Sequence, residues 1–340
     1  MKKFAPTLLA FALAMLLTAI AVVFVGESPL NVFKVLAVSA FGSTENISYT
    51  LFYATPLLLT GAAVALALEA GLFNIGAEGQ LFMGAAAAAA WGAFTRQWFG
   101  AETASSLLVI ATVFGGVLAS FCAGALWGAI AGYLKTHRQV HEVLATIMLN
   151  FIAYAFVNWL VLNPLKNPDT QNLETVWIAE PLRLPRLWQH VTWGLPFALL
   201  IAVAALLAIK YSWWGFRVRA TGQNSDAAKI GGIHTGKTML QAMALSGGVA
   251  GLVGFHEVFL NSYRLLDAFS ASYGFTGLAI ALLARGNVPT LIFSALLFAG
   301  LHKGALDLDL ETEKVTRDLS AVIQALVLVA LAAITSRRRV

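Results

Sequence analysis

The chain has 340 residues, of which 59% are hydrophobic and 11% charged, with a formal net charge of +5 and a mean hydropathy of +0.77. A soluble domain carries roughly a quarter charged residues, so this composition excludes one of useful size and predicts a chain that lives in a bilayer. The single cysteine, Cys122, excludes an intrachain disulfide, and the basic residues sit at the ends of apolar runs rather than along a groove, which speaks against nucleic acid as a partner.

The start, MKKFAPTLLAFALAMLLTAIAVVFV, sets two lysines before an apolar stretch longer than a signal h-region, with no small-x-small cleavage site after it. Residues 4–25 are therefore expected as a retained first span. Further spans are expected at 50–69, 78–95, 106–134, 141–162, 193–211, 238–260, 272–285, 288–302 and 318–335, ten in all. An even number puts both termini on one side. That side is expected to be the cytoplasm, because Lys2, Lys3, Lys135, Arg138, Lys210, Arg217, Arg219, Lys229, Lys237, Arg285 and Arg337 to Arg339 all fall there. The fold class this predicts is an all-α integral membrane protein, one transmembrane domain over 1–340. Three acid-containing connections, 26–49, 163–192 and 303–317, are expected on the opposite face.

Between the second and third spans, LEAGLFNIGAEGQLFMGAAAAAA sets Glu69, Asn74, Glu78 and Gln80 among Gly71, Gly76 and Gly79. A carboxylate near the bilayer centre costs about 2.5–3.5 kcal/mol on insertion scales, so such groups are expected to face a bundle interior. A broken helix lining a solute pathway satisfies both them and the freed backbone. The alternative is an ordinary turn over 70–77 with Glu69 and Glu78 in water; the lack of any Lys or Arg in the stretch argues against it. Asn74 and Gln80 suit hydrogen bonds to hydroxyls or base edges, and Glu78 suits locking the broken helix by accepting backbone amides.

In the next spans Cys122 reads as a packing residue. Gly124, Gly128 and Gly132, like Gly247 and Gly251 later, recur at four-residue spacing, as residues do where helix backbones approach closely in lipid. In KTHRQVHEV, His137 and His141 beside Glu142 put two imidazoles at helical spacing, a zinc geometry without a third ligand, so an interfacial role is expected. Trp193, Trp213 and Trp214 sit near span ends, as aromatic belts do.

The connection 212–237 contains GGIHTGKT at 231–238, which fits the phosphate-loop pattern G-x-x-x-x-G-K-[ST]. That pattern needs a buried strand leading in and a sheet-borne acid for magnesium. What precedes it is RATGQNSDAAKI. Asp226, Ala227, Ala228, Lys229 and Ile230 suit one or two helical turns capped by Asn224 or Ser225, followed by a flexible turn at Gly231 and Gly232. A nucleotide site is not expected here. Further on, His256 and Glu257 are expected at the outer interface of a span. A second interruption, ASYGFTGLAIALLARGNVPT with Gly274 and Gly277, parallels the first, as an inverted repeat around a central pathway would.

Three stretches in order, GLFNIGAEGQLFMGA, GFRVRATGQNSDAAKIGGI with LSGGVAGLVG, and YGFTGLAIALLARGNVP, resemble the permease subunits of ABC importers for simple sugars, branched-chain amino acids and nucleosides. The form N-I-G-x-E-G-Q is most similar to the nucleoside branch, and the likeness runs from about residue 50 to the last span. Ala284 departs from the glycine common there, which leaves tight packing at that point in doubt. The resemblance implies that the loop around Asn224 to Ile233 holds a coupling helix docked on a separate ATP-binding subunit. That subunit would bind ATP and magnesium, so no cofactor is expected in this chain. It also implies a second, related permease, an extracytoplasmic solute-binding lipoprotein, and alternating access past Asn74, Glu78 and Gln80. Sugar or branched-chain amino acid transport, a stand-alone secondary transporter and a membrane-embedded enzyme are the alternatives.

Overall fold

Long apolar runs with few prolines leave the backbone one way to satisfy its own polar groups in lipid, and that is the helix. The computed structural model describes residues 5–99, 105–311, 322 and 325. Among them are α1 (Ala5–Val25), α2 (Pro29–Phe41), α3 (Thr44–Glu69), α4 (Ala77–Phe99), α5 (Ser106–Arg138) and α6 (Glu142–Leu162). They continue with α7 (Gly194–Tyr211), α8 (Trp213–Gln223), α9 (Ser225–Ile230), α10 (Thr235–Phe255), α11 (Tyr273–Ala284) and α12 (Val288–Glu311). No strand longer than an isolated bridge occurs among the described residues. Local chemistry sets the ends. Ser105 caps α5 by accepting from the Leu108 amide, and α5 closes on Lys135, His137 and Arg138, which suit the negative end of its dipole.

Six described helices are long and apolar enough to cross a membrane, or seven if Met15–Val25 and Pro29–Phe41, bent by 117°, count as one broken span. The expected layout of spans and connections is corrected in four places. Helix α4, at the expected span 78–95, is not among the six. Residues 26–49 are not an open connection, since α2 fills 29–41. The expected span 272–285 is α11, whose 12 residues reach about 18 Å, short of the hydrocarbon thickness. The acidic connection expected at 303–317 is helical to Glu311, because Lys303 reaches both oxygens of Asp307 one turn on at 2.5 Å and so neutralises the charge pair inside α12. The span expected at 318–335 lies outside the described residues, apart from 322 and 325.

The chain forms two compact units. The smaller takes residues 1–54, 188–191 and 292–340. Its described core gathers Val22, Val32, Val35 and Leu308, with Lys303 5.3 Å from the centre of the Tyr49 ring, which in turn stacks on His190.

The larger, 55–187 and 192–291, is built on α4, α5 and α10. Their glycines meet backbone to backbone. A Cβ on Gly128 would sit 3.1 Å from the Gly247 Cα, and one on Gly251 would sit 3.1 Å from the Gly124 Cα. The Ser120 hydroxyl donates to the Gly84 carbonyl at 3.0 Å across the same seam. This is the close approach the four-residue glycine spacing predicts. Cys122 is the exception among neighbours: it is exposed on α5, facing away from the packed glycines, and not a core residue.

Candidate functional site

Helix α3 ends at Glu69, and the chain then turns back on itself within the larger unit. The Ser246 hydroxyl donates to the Ala63 carbonyl at 2.5 Å and accepts from the Asn74 amide at 2.8 Å. Asn74 therefore sits level with Ala63, six residues back from the end of α3, which is about 9 Å of helix rise. The turn over 70–76 is re-entrant, not an open loop. Asn74 and Glu78 are 0% exposed and Gln80 is 1%, which rules out the reading that puts Glu78 in water.

Each of these groups has protein partners. Asn74 and Gln80 exchange reciprocal amide hydrogen bonds at 2.8 and 3.0 Å, and the Asn74 oxygen also accepts from the Gly76 amide. From α6, Asn150 accepts from the Gly79 amide at 2.8 Å and donates to the Ile75 carbonyl at 3.1 Å, satisfying the backbone freed where α4 begins inside the bundle. Glu78 accepts from the Gly274 amide at 2.6 Å and from the Tyr154 hydroxyl at 3.1 Å. One carboxylate thus ties the start of α4 to the start of α11, the two glycine-interrupted stretches, and to α6 between them.

Asn150, Tyr154 and Ser246 escape a reading that looks for polar clusters along the chain, because apolar residues or glycine flank each of them. A periodic signal was available. Thr146, Asn150, Tyr154 and Asn158 recur every four residues and mark one stripe of α6.

The second region is the loop 212–237. Ser212 caps α8, and Asn224, in extended conformation, caps α9 by accepting from the Asp226 and Ala227 amides at 3.1 and 2.9 Å. Asp226 and Lys229 stand at the dipole-matched ends of this six-residue helix. Backbone hydrogen bonds close the turn after it. The Ile233 amide donates to Ala228 and the Gly232 amide to Lys229, with Gly232 at φ +81°, a Schellman closure that favours glycine. Ala228 is buried beneath it, while Ala227 is exposed and Ile230 is 90% exposed.

Within GGIHTGKT, Gly231 and Gly232 close α9, and Gly236, Lys237 and Thr238 open α10. A helix, not a strand, leads in. Among the described residues no sheet stands nearby to carry a magnesium-holding acid, so the phosphate-loop geometry is missing.

The two regions touch. Gly222, near the end of α8, packs on the backbone of 69–71: a Cβ at Gly71 would lie 3.2 Å from the Gly222 Cα, and one at Gly222 would lie 2.8 Å from the Gly71 nitrogen and collide with the Glu69 carbonyl. Gly71 is left-handed, at φ +75°. The Arg219 guanidinium bonds the Ile209 carbonyl, fastening α8 to the end of α7.

The histidines differ from expectation. His137 is on α5 and His141 lies beyond the left-handed Gln139, so they do not share a helix face; His137 stacks on Tyr133, and Lys135 pairs with Glu142 at 2.8 Å. No group of three or more metal-binding side chains occurs among the described residues. His256 and Glu257 are 0% and 4% exposed rather than interfacial. They sit in a π-helical turn, His256–Asn261, bonded to each other at 3.2 Å, with Thr192 3.3 Å from the His256 ring.

Residues 46–332 match the family described as branched-chain amino acid transport system / permease component. The chain is 32% identical over 327 residues to the guanosine ABC transporter permease protein NupP of Bacillus subtilis, covering 94% of this chain and 91% of that one. It is 32% identical over 321 residues to the glucose ABC transporter permease protein TsgB13 of Haloferax volcanii (91% and 82%). It is 30% identical over 322 residues to the nucleoside ABC transporter permease protein NupB of Lactococcus lactis (89% and 84%). By these matches the chain belongs to this family: it is a multi-pass membrane permease component of an ABC transporter.

Proposed function

We propose that this permease carries nucleosides into the cell, taking them from an extracytoplasmic solute-binding lipoprotein and using a separate ATP-binding subunit as its motor. ATP and magnesium belong to that subunit; this chain contributes no catalytic residue. It sits in the cytoplasmic membrane with both termini on the cytoplasmic side, beside a second, related permease. The nucleoside names of two relatives and the N-I-G-x-E-G-Q form support the solute class. The exposed α9 supports the motor.

The observation that carries the mechanism is the backbone contact of Gly222 with Glu69 to Gly71. Docking of Asn224 to Ile233 on the ATP-binding subunit would move α8, and with no side chain between them α8 would move the turn directly. Asn74 and Gln80, through Ser246, and Glu78, through Gly274, would carry that displacement to α10 and α11. The pathway then opens to the other side. The subunit's ATP-bound form makes the cycle directional by favouring one permease state over the other.

The test is uptake by vesicles containing the assembled transporter, comparing a purine nucleoside with glucose, since a glucose permease is as similar as a guanosine permease. ATP-dependent uptake of the nucleoside alone is the predicted result. Glucose uptake without nucleoside uptake would transfer the chain to the sugar branch, and uptake by this chain without any ATP-binding subunit would overturn the motor.

A further inference from the structure

The polar stripe of α6 does not end at the buried turn. Thr146 faces Gly76, Asn150 holds the start of α4, and Tyr154 reaches Glu78. One turn further, Asn158 donates to Asp267 at 3.4 Å, in the connection between the π-helical turn and α11. Here the stripe comes to the surface. Phe151 is 64% exposed and Trp159 52%, and along them runs an open hollow of about 490 Å³ that Tyr154 and Asn158 also line.

An amide beside an exposed carboxylate is costly against acyl chains, and neither group exhausts its hydrogen-bonding capacity on the other. None of the described residues lining the hollow is Lys or Arg, which disfavours an anion as its ligand. The face combines flat aromatic surface with one amide and one carboxylate acceptor, the pattern that holds a solute with an aromatic body and neighbouring hydroxyls.

We infer that Phe151, Tyr154, Asn158, Trp159 and Asp267 form one wall of the solute site, the base lying on the aromatic rings and the ribose hydroxyls on Asn158 and Asp267. This rests on the nucleoside reading and makes it specific. Because one helix and one connection supply every group, the wall is half a site, and the facing half comes from the second permease. Tyr154 gives the wall its link to transport. Its hydroxyl ends on Glu78, and Glu78 on the Gly274 amide, so a solute against the ring bears on both interrupted stretches.

The experiment uses the complete transporter in proteoliposomes with saturating binding protein, so that capture does not limit the rate. Maximal uptake is measured for a ribonucleoside and for its 2′,3′-dideoxy analogue. Asn158→Ala and Asp267→Asn are each expected to slow the ribonucleoside roughly tenfold and leave the analogue unchanged, erasing the preference between them. The analogue serves as the control for folding, since a damaged protein slows both. Equal slowing of the two solutes, or an undiminished preference for the ribonucleoside, overturns the wall while leaving nucleoside transport in place. A transporter that moves some other solute and no nucleoside overturns the nucleoside reading and the wall with it.

Discussion

The turn over 70–80 and the loop over 224–233 are both short, glycine-bearing interruptions between spans, yet their polar groups are disposed in opposite ways. In the turn, Asn74, Glu78 and Gln80 are buried and each is bonded to the protein itself. In the loop, the internal bonds are the capping and closing ones and a 3.4 Å pair between Lys229 and Asp226, and Ala227, Lys229 and Ile230 are exposed. A buried polar group left without a partner costs about 1–3 kcal/mol, so the turn has to complete its network within the fold. An exposed helix with a large apolar side chain at its tip has no such need, and its outer face stays free to meet another surface. In the proposed mechanism the first region holds a conformation and the second receives a force.

Substitutions sharpen the contrast. The largest effect on transport with the least effect on folding is expected for Ile230→Asp: ATP-driven uptake should fall roughly tenfold or more, as for a central interface residue, while thermal unfolding shifts by no more than an ordinary surface change, within about 0.5 kcal/mol. Uptake at the original rate would show that the loop tip meets nothing. Gly222→Val should lower both, because its Cβ enters the Glu69 carbonyl; overpacking of this kind costs about 1–3 kcal/mol, readable as a lower melting temperature. In the turn, Asn74→Ala and Gln80→Ala should each cost about 1–3 kcal/mol, and the double variant less than their sum, since each leaves the other's amide unpaired. Additive losses would mean the two amides do not act as a pair. The smallest effect belongs to Lys237→Ala. Exposed in the first turn of α10, it should leave ATP affinity of the assembled transporter unchanged in a nucleotide-binding titration.

Much of this arrangement can be read from the residues alone. The apolar runs mark the helices, the four-residue glycine spacing marks the α5–α10 seam, and Asn224 before Ser225-Asp226-Ala227 marks the cap of α9. The depth of the 70–76 turn is harder to see. It depends on Ser246 and Asn150, in distant spans, whose roles exist only once three helices are side by side. The length of α11 misleads for a similar reason: an apolar run of 14 residues fits a short span or a half-span equally, and only the bond from Gly274 to Glu78 places its start inside the bundle. The burial of His256 and Glu257 is likewise hidden, because local composition at a span end says nothing about a π-helical turn that carries the pair inward.

The most direct measurement puts a photo-crosslinking amino acid at position 230, where a 90% exposed side chain can be replaced without disturbing the fold. Illuminated in membranes containing the whole transporter, it should join this chain to the ATP-binding subunit, with a yield that changes when ATP is added. A product containing only lipid or the solute-binding protein would contradict the claim that α9 is gripped by the motor.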